Sequence, residues 1–76
     1  MSDYKQRMVE EYRQLRDHIG KLDGMLNGWE MRELDFEPTC SRELLTAQLH
    51  VMMAYRSILE ERAHIEDVPL TEDDHE

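Results

Sequence analysis

Three side chains interrupt the apolar pattern in the second half of the chain at intervals of seven residues. Gln48, Tyr55 and Arg62 recur within a segment that otherwise has the pattern of an amphipathic helix, and a period of seven places them along one line of that helix. The guanidinium group of arginine forms paired hydrogen bonds with phosphate, and the ring of tyrosine offers a face for a base or a cation. The residue types of this line therefore fit a ligand that carries phosphate and bases.

A second polar line precedes it. Tyr4, Arg7 and Glu11 follow one another at steps of three and four, which is the spacing of neighbours on one helix face. If the two segments pack antiparallel, this line comes close to Tyr55 and Arg62. Two interpretations are open at this point: the polar set fixes the register of the helices, with Arg62 paired to Glu11, or it binds a ligand between chains.

The elements that must position these residues are two helices. In the first half, six apolar residues recur at intervals of four, three, four, three and four, and they predict a helix over about residues 3–26. Asp3 or Ser2 can cap its start, and Gly24, Asn27 and Gly28 are expected to end it. The apolar residues of this first stripe are Met8, Tyr12, Leu15, Ile19, Leu22 and Leu26.

The second helix is predicted over about residues 41–65. Pro38 disfavours helix at the residue before it, and Thr39 or Ser41 can cap the helix that follows. This helix carries two apolar stripes, and we expect them to contact two different partners. The inner stripe, expected to face helix one, is Leu45, Leu49, Met52 and Leu59; the outer stripe, expected to face another chain, is Leu44, Val51, Ile58 and Ile65.

The predicted fold class is all-α: an antiparallel two-helix hairpin with an apolar connector, assembling into a helical homo-oligomer. Residues 1–65 form the hairpin domain, and residues 66–76 form an acidic disordered tail. The connector, residues 27–40, is expected to fold back on the end of the hairpin through Trp29, Met31, Leu34 and Phe36. Oligomerisation is expected because a chain of 76 residues buries a small core and its single cysteine, Cys40, forms no intrachain disulfide.

The charge balance excludes one class of partner. The chain has 9 basic and 18 acidic residues, and six of the acids lie in residues 66–76, which leaves a net charge of −3 on the remainder. Duplex DNA or RNA requires a basic surface, so neither is expected as a partner. A small nucleotide needs only a few well-placed donors. No apolar run approaches the roughly 20 residues of a membrane span, and the N-terminus lacks the apolar core of a signal peptide, so a cytosolic protein without a membrane partner is expected.

Catalytic and metal chemistry are not predicted. The histidines, His18, His50, His64 and His75, share no i, i+4 pair with one another or with Cys40, so no zinc site is expected. The acidic pairs Glu10–Glu11 and Glu60–Glu61 have the placement of solvated helix faces. Because no set of nucleophile, base and orienting group is present, the sequence predicts a protein that is not an enzyme and has no cofactor.

Two segments resemble the halves of a family of short phage and prophage proteins first catalogued in crAss-like phages. They are DYKQRMVEEYRQLRDHIGKLDGML and LLTAQLHVMMAYRSILEER, and the resemblance covers roughly residues 3–62. In this chain Arg7 follows Tyr4 by three positions, where the family pattern has two. The positions that match are Tyr4, Arg7, Glu11, Leu15, Lys21 and Leu22 in the first segment and Leu44, Leu45, Gln48, Met52, Tyr55, Leu59 and Arg62 in the second.

The resemblance implies a phage protein that acts in the host bacterial cytoplasm as a helical-hairpin oligomer. Its role is similar to that of phage sponges, which sequester the cyclic-nucleotide or ADP-ribose-derived signals of CBASS and Thoeris defence without cleaving them. The expected ligand is then a cyclic di- or trinucleotide, or an ADP-ribose-derived signal, bound at subunit interfaces. The alternative is a protein-binding helical module or a structural phage oligomer with no small-molecule ligand.

The resemblance also assigns expected roles to the two polar lines. Arg7 and Arg62 would bind phosphate, with Lys21 a weaker candidate because it lies nearer the closed end of the hairpin. Tyr4 and Tyr55 would stack or donate hydrogen bonds. Gln48 would recognise a base edge, and Glu11 would orient an arginine or accept from a base or a ribose hydroxyl.

Overall fold

The computed structural model describes residues 3–70, which form two helices, α1 (Asp3–Glu30) and α2 (Arg42–Glu66). The helices pack antiparallel. At one end the Tyr4 hydroxyl donates to the Glu66 carboxylate, and at the other Arg42 Nη2 lies 3.0 Å from Glu30 Oε1. The all-α prediction is confirmed for the described residues, which contain no strand.

α1 is four residues longer than predicted, because its glycines do not end it. All glycines keep negative φ, and the left-handed residue is Arg32, at φ 61°. The Arg32 N–H donates to the Trp29 carbonyl at 3.0 Å and the Glu33 N–H donates to the Gly28 carbonyl at 2.7 Å, which is the bond pattern of a Schellman motif. A Cβ on Gly28 would lie 3.2 Å from Leu34 Cδ2. The absence of a side chain at Gly28 thus lets Leu34 of the connector pack closely on α1, and Gly28 does not turn the backbone.

α2 begins and ends with well-formed caps. The Ser41 side chain accepts from the Leu44 N–H at 3.1 Å, which identifies Ser41 as the cap among the two predicted candidates. At the other end Asp67 adopts the left-handed conformation, and the Val68 N–H donates to the Ala63 carbonyl at 2.8 Å. Because Val68 is buried in the core, ordered packing extends past the predicted domain end at residue 65. Residues 71–76 of the predicted tail lie outside the described residues.

The core lies between the two helices and centres on Leu59, whose side chain is 0% exposed. The predicted first stripe and the inner stripe of α2 are buried or half-buried there, as expected. Val9, Ala63 and Val68 are also buried, although the apolar spacing did not predict them. The helices therefore bury one stripe each against the other.

The apolar connector folds back only in part. Trp29, which lies in the last turn of α1, packs against the core, and Leu34 is half-buried. Met31 and Phe36 are exposed, so the prediction is wrong for these two. The Schellman turn at Arg32 explains why Leu34 packs while Met31 and Phe36 do not, because the turn directs Leu34 onto Gly28.

The outer stripe of α2 faces away from α1, as predicted. Leu44, Val51, Ile58 and Ile65 are between 55% and 74% exposed. Four large aliphatic side chains in one line form an apolar surface of the kind that marks an interaction site.

The left-handed turn at Arg32 generates a stability prediction. We expect Arg32→Gly to raise the free energy of unfolding by roughly 0.5–1 kcal/mol, because glycine relieves the strain of positive φ on an L side chain. The measurement is urea unfolding followed by circular dichroism. Glu33→Gly is the matched control, since Glu33 does not have positive φ and should lose about 0.4–1 kcal/mol. Equal losses in the two variants would contradict the assignment of the turn.

Candidate functional site

The first turn of α1 and the last turns of α2 meet in a three-residue network. Arg62 Nη2 donates to the Tyr4 hydroxyl oxygen at 2.5 Å, and that hydroxyl donates to Glu66 Oε2 at 3.1 Å. The Arg62 guanidinium carbon lies 6.0 Å from the centre of the Tyr4 ring, and Arg62 Nε lies 3.9 Å from Glu66 Oε2. The hydrogen bond from Arg62 to Tyr4 raises the pKa of the guanidinium, so Arg62 keeps its positive charge.

A second cross-link joins the helices about two turns further along α1. The Tyr55 hydroxyl on α2 donates to Glu11 Oε2 on α1. That hydrogen bond, then burial, then the charge of Glu11 raise the pKa of Tyr55 above its ordinary value of 10.0. The expected pairing of Arg62 with Glu11 is therefore wrong: Glu11 binds Tyr55, while Arg62 binds Tyr4 and Glu66.

A matching pair that the sequence analysis missed lies on the opposite side of the hairpin. The Tyr12 hydroxyl on α1 donates to Glu60 Oε2 on α2 at 2.5 Å. Burial first, and then this hydrogen bond, raise the pKa of Tyr12 above 10.0. The two tyrosine–glutamate pairs run in opposite directions between the helices, and together they fix the register. The signal available in the sequence was a tyrosine placed within an otherwise aliphatic stripe.

A cleft of about 290 Å³ opens beside the Arg62 network, lined by Tyr4, Arg7, Met8, Glu11 and Arg62. Tyr55 reaches its edge through Glu11. Arg7 is exposed and, within residues 3–70, forms no hydrogen bond or ion pair. The carboxylates of Glu11 and Glu66 already accept from tyrosine hydroxyls. An anion entering the cleft would thus meet two guanidinium groups, Arg7 and Arg62, together with the carboxylate of Glu11.

Gln48 is the one predicted site residue that the structure does not bring into this cluster. It lies seven residues before Tyr55, which is about 10 Å along the helix axis, and lines a separate cleft of about 500 Å³. His18, Lys21, Met25 and Met52 also line this second cleft. The α1 residues of both clefts succeed one another at steps of three and four, so the clefts share one groove between the helices.

Other chemistry is sparse in the part of the chain that the structure describes. Among residues 3–70, no three His, Cys, Asp or Glu side chains are grouped to hold a metal ion. Neither described helix has the combination of length and apolar character that a membrane crossing demands. Cys40 is an exposed free thiol in the connector.

Comparison with known proteins gives one match. A family model described as Sequestin matches residues 2–65, which include α1, all of α2 except its last residue, and every residue of the two clefts. No curated protein and no solved structure matches the chain. The family name fits a sequestering protein and is consistent with the resemblance drawn from the two helical segments.

The tyrosine–glutamate contact generates a pH prediction. Because the pKa of Tyr55 is raised in the folded chain, the stabilisation from this contact is fully present below pH 10.0 and is lost as pH rises through the folded-state pKa. We expect Glu11→Ala to lower the pKa of Tyr55 towards 10.0, as measured by ultraviolet absorbance during a pH titration of the tyrosines. The Tyr55→Phe variant lacks the Tyr55 hydroxyl, so the difference between its titration and that of the unmodified protein identifies the part of the curve that belongs to Tyr55.

Glu10→Ala is the matched control. Glu10 is adjacent in sequence, exposed, and accepts from Arg13 and Gln14 rather than from a tyrosine. Its titration curve should superimpose on that of the unmodified protein. If Glu11→Ala gives that same curve, the Tyr55–Glu11 contact is refuted.

Proposed function

We propose that this chain, which belongs to the Sequestin family, binds and sequesters a nucleotide signal of bacterial antiviral defence without cleaving it. The signal is a cyclic oligonucleotide or an ADP-ribose-derived compound, and the protein acts for a phage in the host cytoplasm. The family name describes sequestration and so supports binding rather than catalysis. The observation that carries the ligand class is the cleft in which uncommitted Arg7 lies beside Arg62 and the Tyr4 ring.

Phosphate recognition falls to the two arginines. A guanidinium group forms paired, charge-assisted hydrogen bonds with phosphate oxygens, and Arg62 is held in place by Tyr4 and Glu66 before any ligand arrives. Arg7 forms no ion pair within residues 3–70. Because Glu11 lines the same cleft, the anion would bind through direct contact with the two guanidinium groups rather than through the net charge of the cleft.

Base recognition falls to the tyrosines and to Gln48. The Tyr4 side chain is 45% exposed, which leaves ring surface for a stacked base, and such stacking contributes about 1–3 kcal/mol per base. The amide of Gln48 has both a donor and an acceptor for a base edge. Glu11 holds Tyr55 and offers its remaining lone pairs to a ribose hydroxyl.

The size of the cleft supports binding between subunits. A sponge at micromolar concentration needs a dissociation constant in the nanomolar range, which corresponds to a binding free energy of roughly −12 kcal/mol. A pocket for a ligand of this class covers most of the ligand surface, whereas the open-end cleft of about 290 Å³ leaves Arg7 exposed and Tyr4 45% exposed. A second subunit would enclose the ligand.

A second candidate function rests on the exposed outer stripe. Leu44, Val51, Ile58 and Ile65 could receive an amphipathic helix of a host protein, which would make the chain a protein-binding module. This alternative predicts that no small molecule is retained. A purely structural oligomer predicts the same result.

The experiment that tests the proposal mixes purified protein with a panel of cyclic di- and trinucleotides and cyclic ADP-ribose isomers. The protein is removed by filtration, the free compounds are quantified, and the retained fraction is heated and analysed. Depletion of one compound with intact recovery is the expected result. Recovery of an altered compound would show catalysis, and depletion of none would overturn the ligand hypothesis in favour of the protein-binding module.

The same assay tests the role of Arg7. We expect Arg7→Ala to weaken retention of the bound compound roughly tenfold to a hundredfold, the effect of removing a charge-assisted hydrogen bond to phosphate. Helicity and mass in solution should not change, because Arg7 has no partner within residues 3–70. Isothermal titration calorimetry gives the affinity.

Arg13→Ala is the matched control for this prediction. It removes the same charge from the same helix, but Arg13 is exposed, pairs with Glu10 at 3.2 Å and does not line the cleft. We expect its affinity to stay within about twofold of the unmodified protein, as for other surface charges. Equal weakening by the two substitutions would attribute the effect to net charge rather than to the site.

A further inference from the structure

The outer stripe of α2 has the arrangement of a helix–helix interface. Leu44, Val51, Ile58 and Ile65 recur every seven residues, and Ala47, Ala54 and Glu61 lie beside them, three residues after the first three stripe positions. All four aliphatic side chains point away from α1. On the flank nearer α1, the stripe is bordered by the polar line of Gln48, Tyr55 and Arg62, which lies four residues after each stripe position.

We propose that two copies of the chain pair through this face with their α2 helices antiparallel, so that each ligand site is shared between subunits. In this dimer Gln48 and Lys21 of the partner subunit complete the cleft formed by Arg7 and Arg62. The pairing of the two chains is inferred from the apolar face and does not require a ligand. The shared site does require one, so it rests on the proposed function.

The positions of the stripe residues are self-complementary under reversal. They are distributed evenly about a point between residues 54 and 55, close to the middle of α2 (Arg42–Glu66). A reversed copy centred there brings Leu44 level with Ile65 of the partner subunit and Val51 level with Ile58 of the partner subunit. Ala54 then lies near the twofold axis, where a small side chain allows the helices to approach closely. Such an isologous contact closes on itself as a dimer.

The helix dipoles favour the antiparallel direction, because reversal places the positive start of each α2 beside the negative end of the other. In the register that sets Leu44 level with Ile65 of the partner subunit, Glu43 comes level with Glu66 of the partner subunit, but the two glutamates lie on opposite flanks of the stripe.

The same reversal explains where Gln48 lies. Within one chain Gln48 is about four helical turns from Arg62, but in the dimer Gln48 of the partner subunit is nearly level with Arg62. The partner's cleft of about 500 Å³ then adjoins the open-end cleft of about 290 Å³. The merged site gains the ammonium group of Lys21 of the partner subunit, whose pairing with Asp17 is solvent-exposed. Three cations thus surround one enclosed site, and the seven-residue spacing of the polar line follows from the dimer.

The interface is tested first by mass. We expect the unmodified chain to be a dimer, or a multiple of one, by light scattering after gel filtration, and Val51→Glu and Ile58→Glu to reduce it to a monomer at low micromolar concentration. Met53→Glu is the control, since Met53 is exposed on a different face of α2. Circular dichroism of each variant establishes that the hairpin is folded. A monomeric unmodified chain, or folded Val51→Glu and Ile58→Glu variants of unchanged mass, would overturn the proposal.

The direction of pairing is tested by cross-linking in a Cys40→Ser background, in which the exposed native thiol is absent. Chains carrying Ala47→Cys and chains carrying Glu61→Cys are oxidised separately and after mixing. The antiparallel dimer brings position 47 level with position 61 of the other subunit, so disulfide-linked dimers should form mainly in the mixture. Cross-links that form equally well in each separate sample would establish a parallel pair and overturn the proposal.

The shared site is tested by complementation, with a cyclic nucleotide that the unmodified protein retains as the probe. Arg7→Ala and Lys21→Ala should each lose retention. Mixed after denaturation and refolding, they should regain about a quarter of it, since half of the random dimers are heterodimers and each has one of two sites intact. Arg7→Ala mixed with Arg62→Ala is the control, because both substitutions damage the same half of the site, and it should regain none.

The outcomes separate the two proposals. If the unmodified protein retains no compound of the panel, the proposed function fails, while the masses and cross-links decide the dimer independently. If it retains one but the Arg7→Ala and Lys21→Ala mixture regains nothing, or Lys21→Ala alone binds normally, the shared site is overturned and the proposed function stands.

Discussion

The structure depends on one constraint: two helices can bury only one stripe of each against the other. Among residues 3–70, Leu59 is the large side chain that is fully buried. The remaining core residues form a narrow contact on either side of it. A core this narrow sets the distance between the two helices, but it sets their register along the axis less firmly, because aliphatic side chains pack against several neighbours of similar shape. The register is set by the polar contacts at the edges of the core.

The tyrosine–glutamate pairs have this role. Tyr12 donates from α1 to Glu60, and Tyr55 donates from α2 to Glu11, so sliding of one helix along the other by a turn would break both bonds. Each pair is half-exposed, so it adds little net stability, but it excludes other registers in the way that polar residues at heptad positions do. The Tyr55 pair engages Glu11, which lines the groove beside Arg7 and Arg62, whereas Glu60 lies on the opposite side of the hairpin.

Much of this could be predicted from apolar spacing. The stripes of both helices follow from steps of three and four, and the antiparallel direction follows from the short connection, which together bring Tyr4, Arg7, Glu11, Tyr55 and Arg62 to one end. The identity of the partners could not be predicted, because Glu11, Glu60 and Glu66 are all within reach of a tyrosine or an arginine until the register is known. The end of α1 was misplaced because the propensity of Gly24 and Gly28 to end a helix is worth only about 1 kcal/mol each, and the packing of Leu34 on Gly28 outweighs it.

The polar lines had two interpretations: contacts that fix the register of the helices, and a ligand site. These two interpretations concern different atoms of the same cluster. Tyr4, Tyr55, Glu11 and Glu66 direct their polar atoms at one another across the helices, and Arg62 joins them through Tyr4. Arg7 takes no part in this network, although it stands on the same face and lines the same cleft. Register alone does not require a second guanidinium beside Arg62. Under the proposed function, an anion that binds both arginines accounts for the position of Arg7, and the network holds Arg62 in place for that anion.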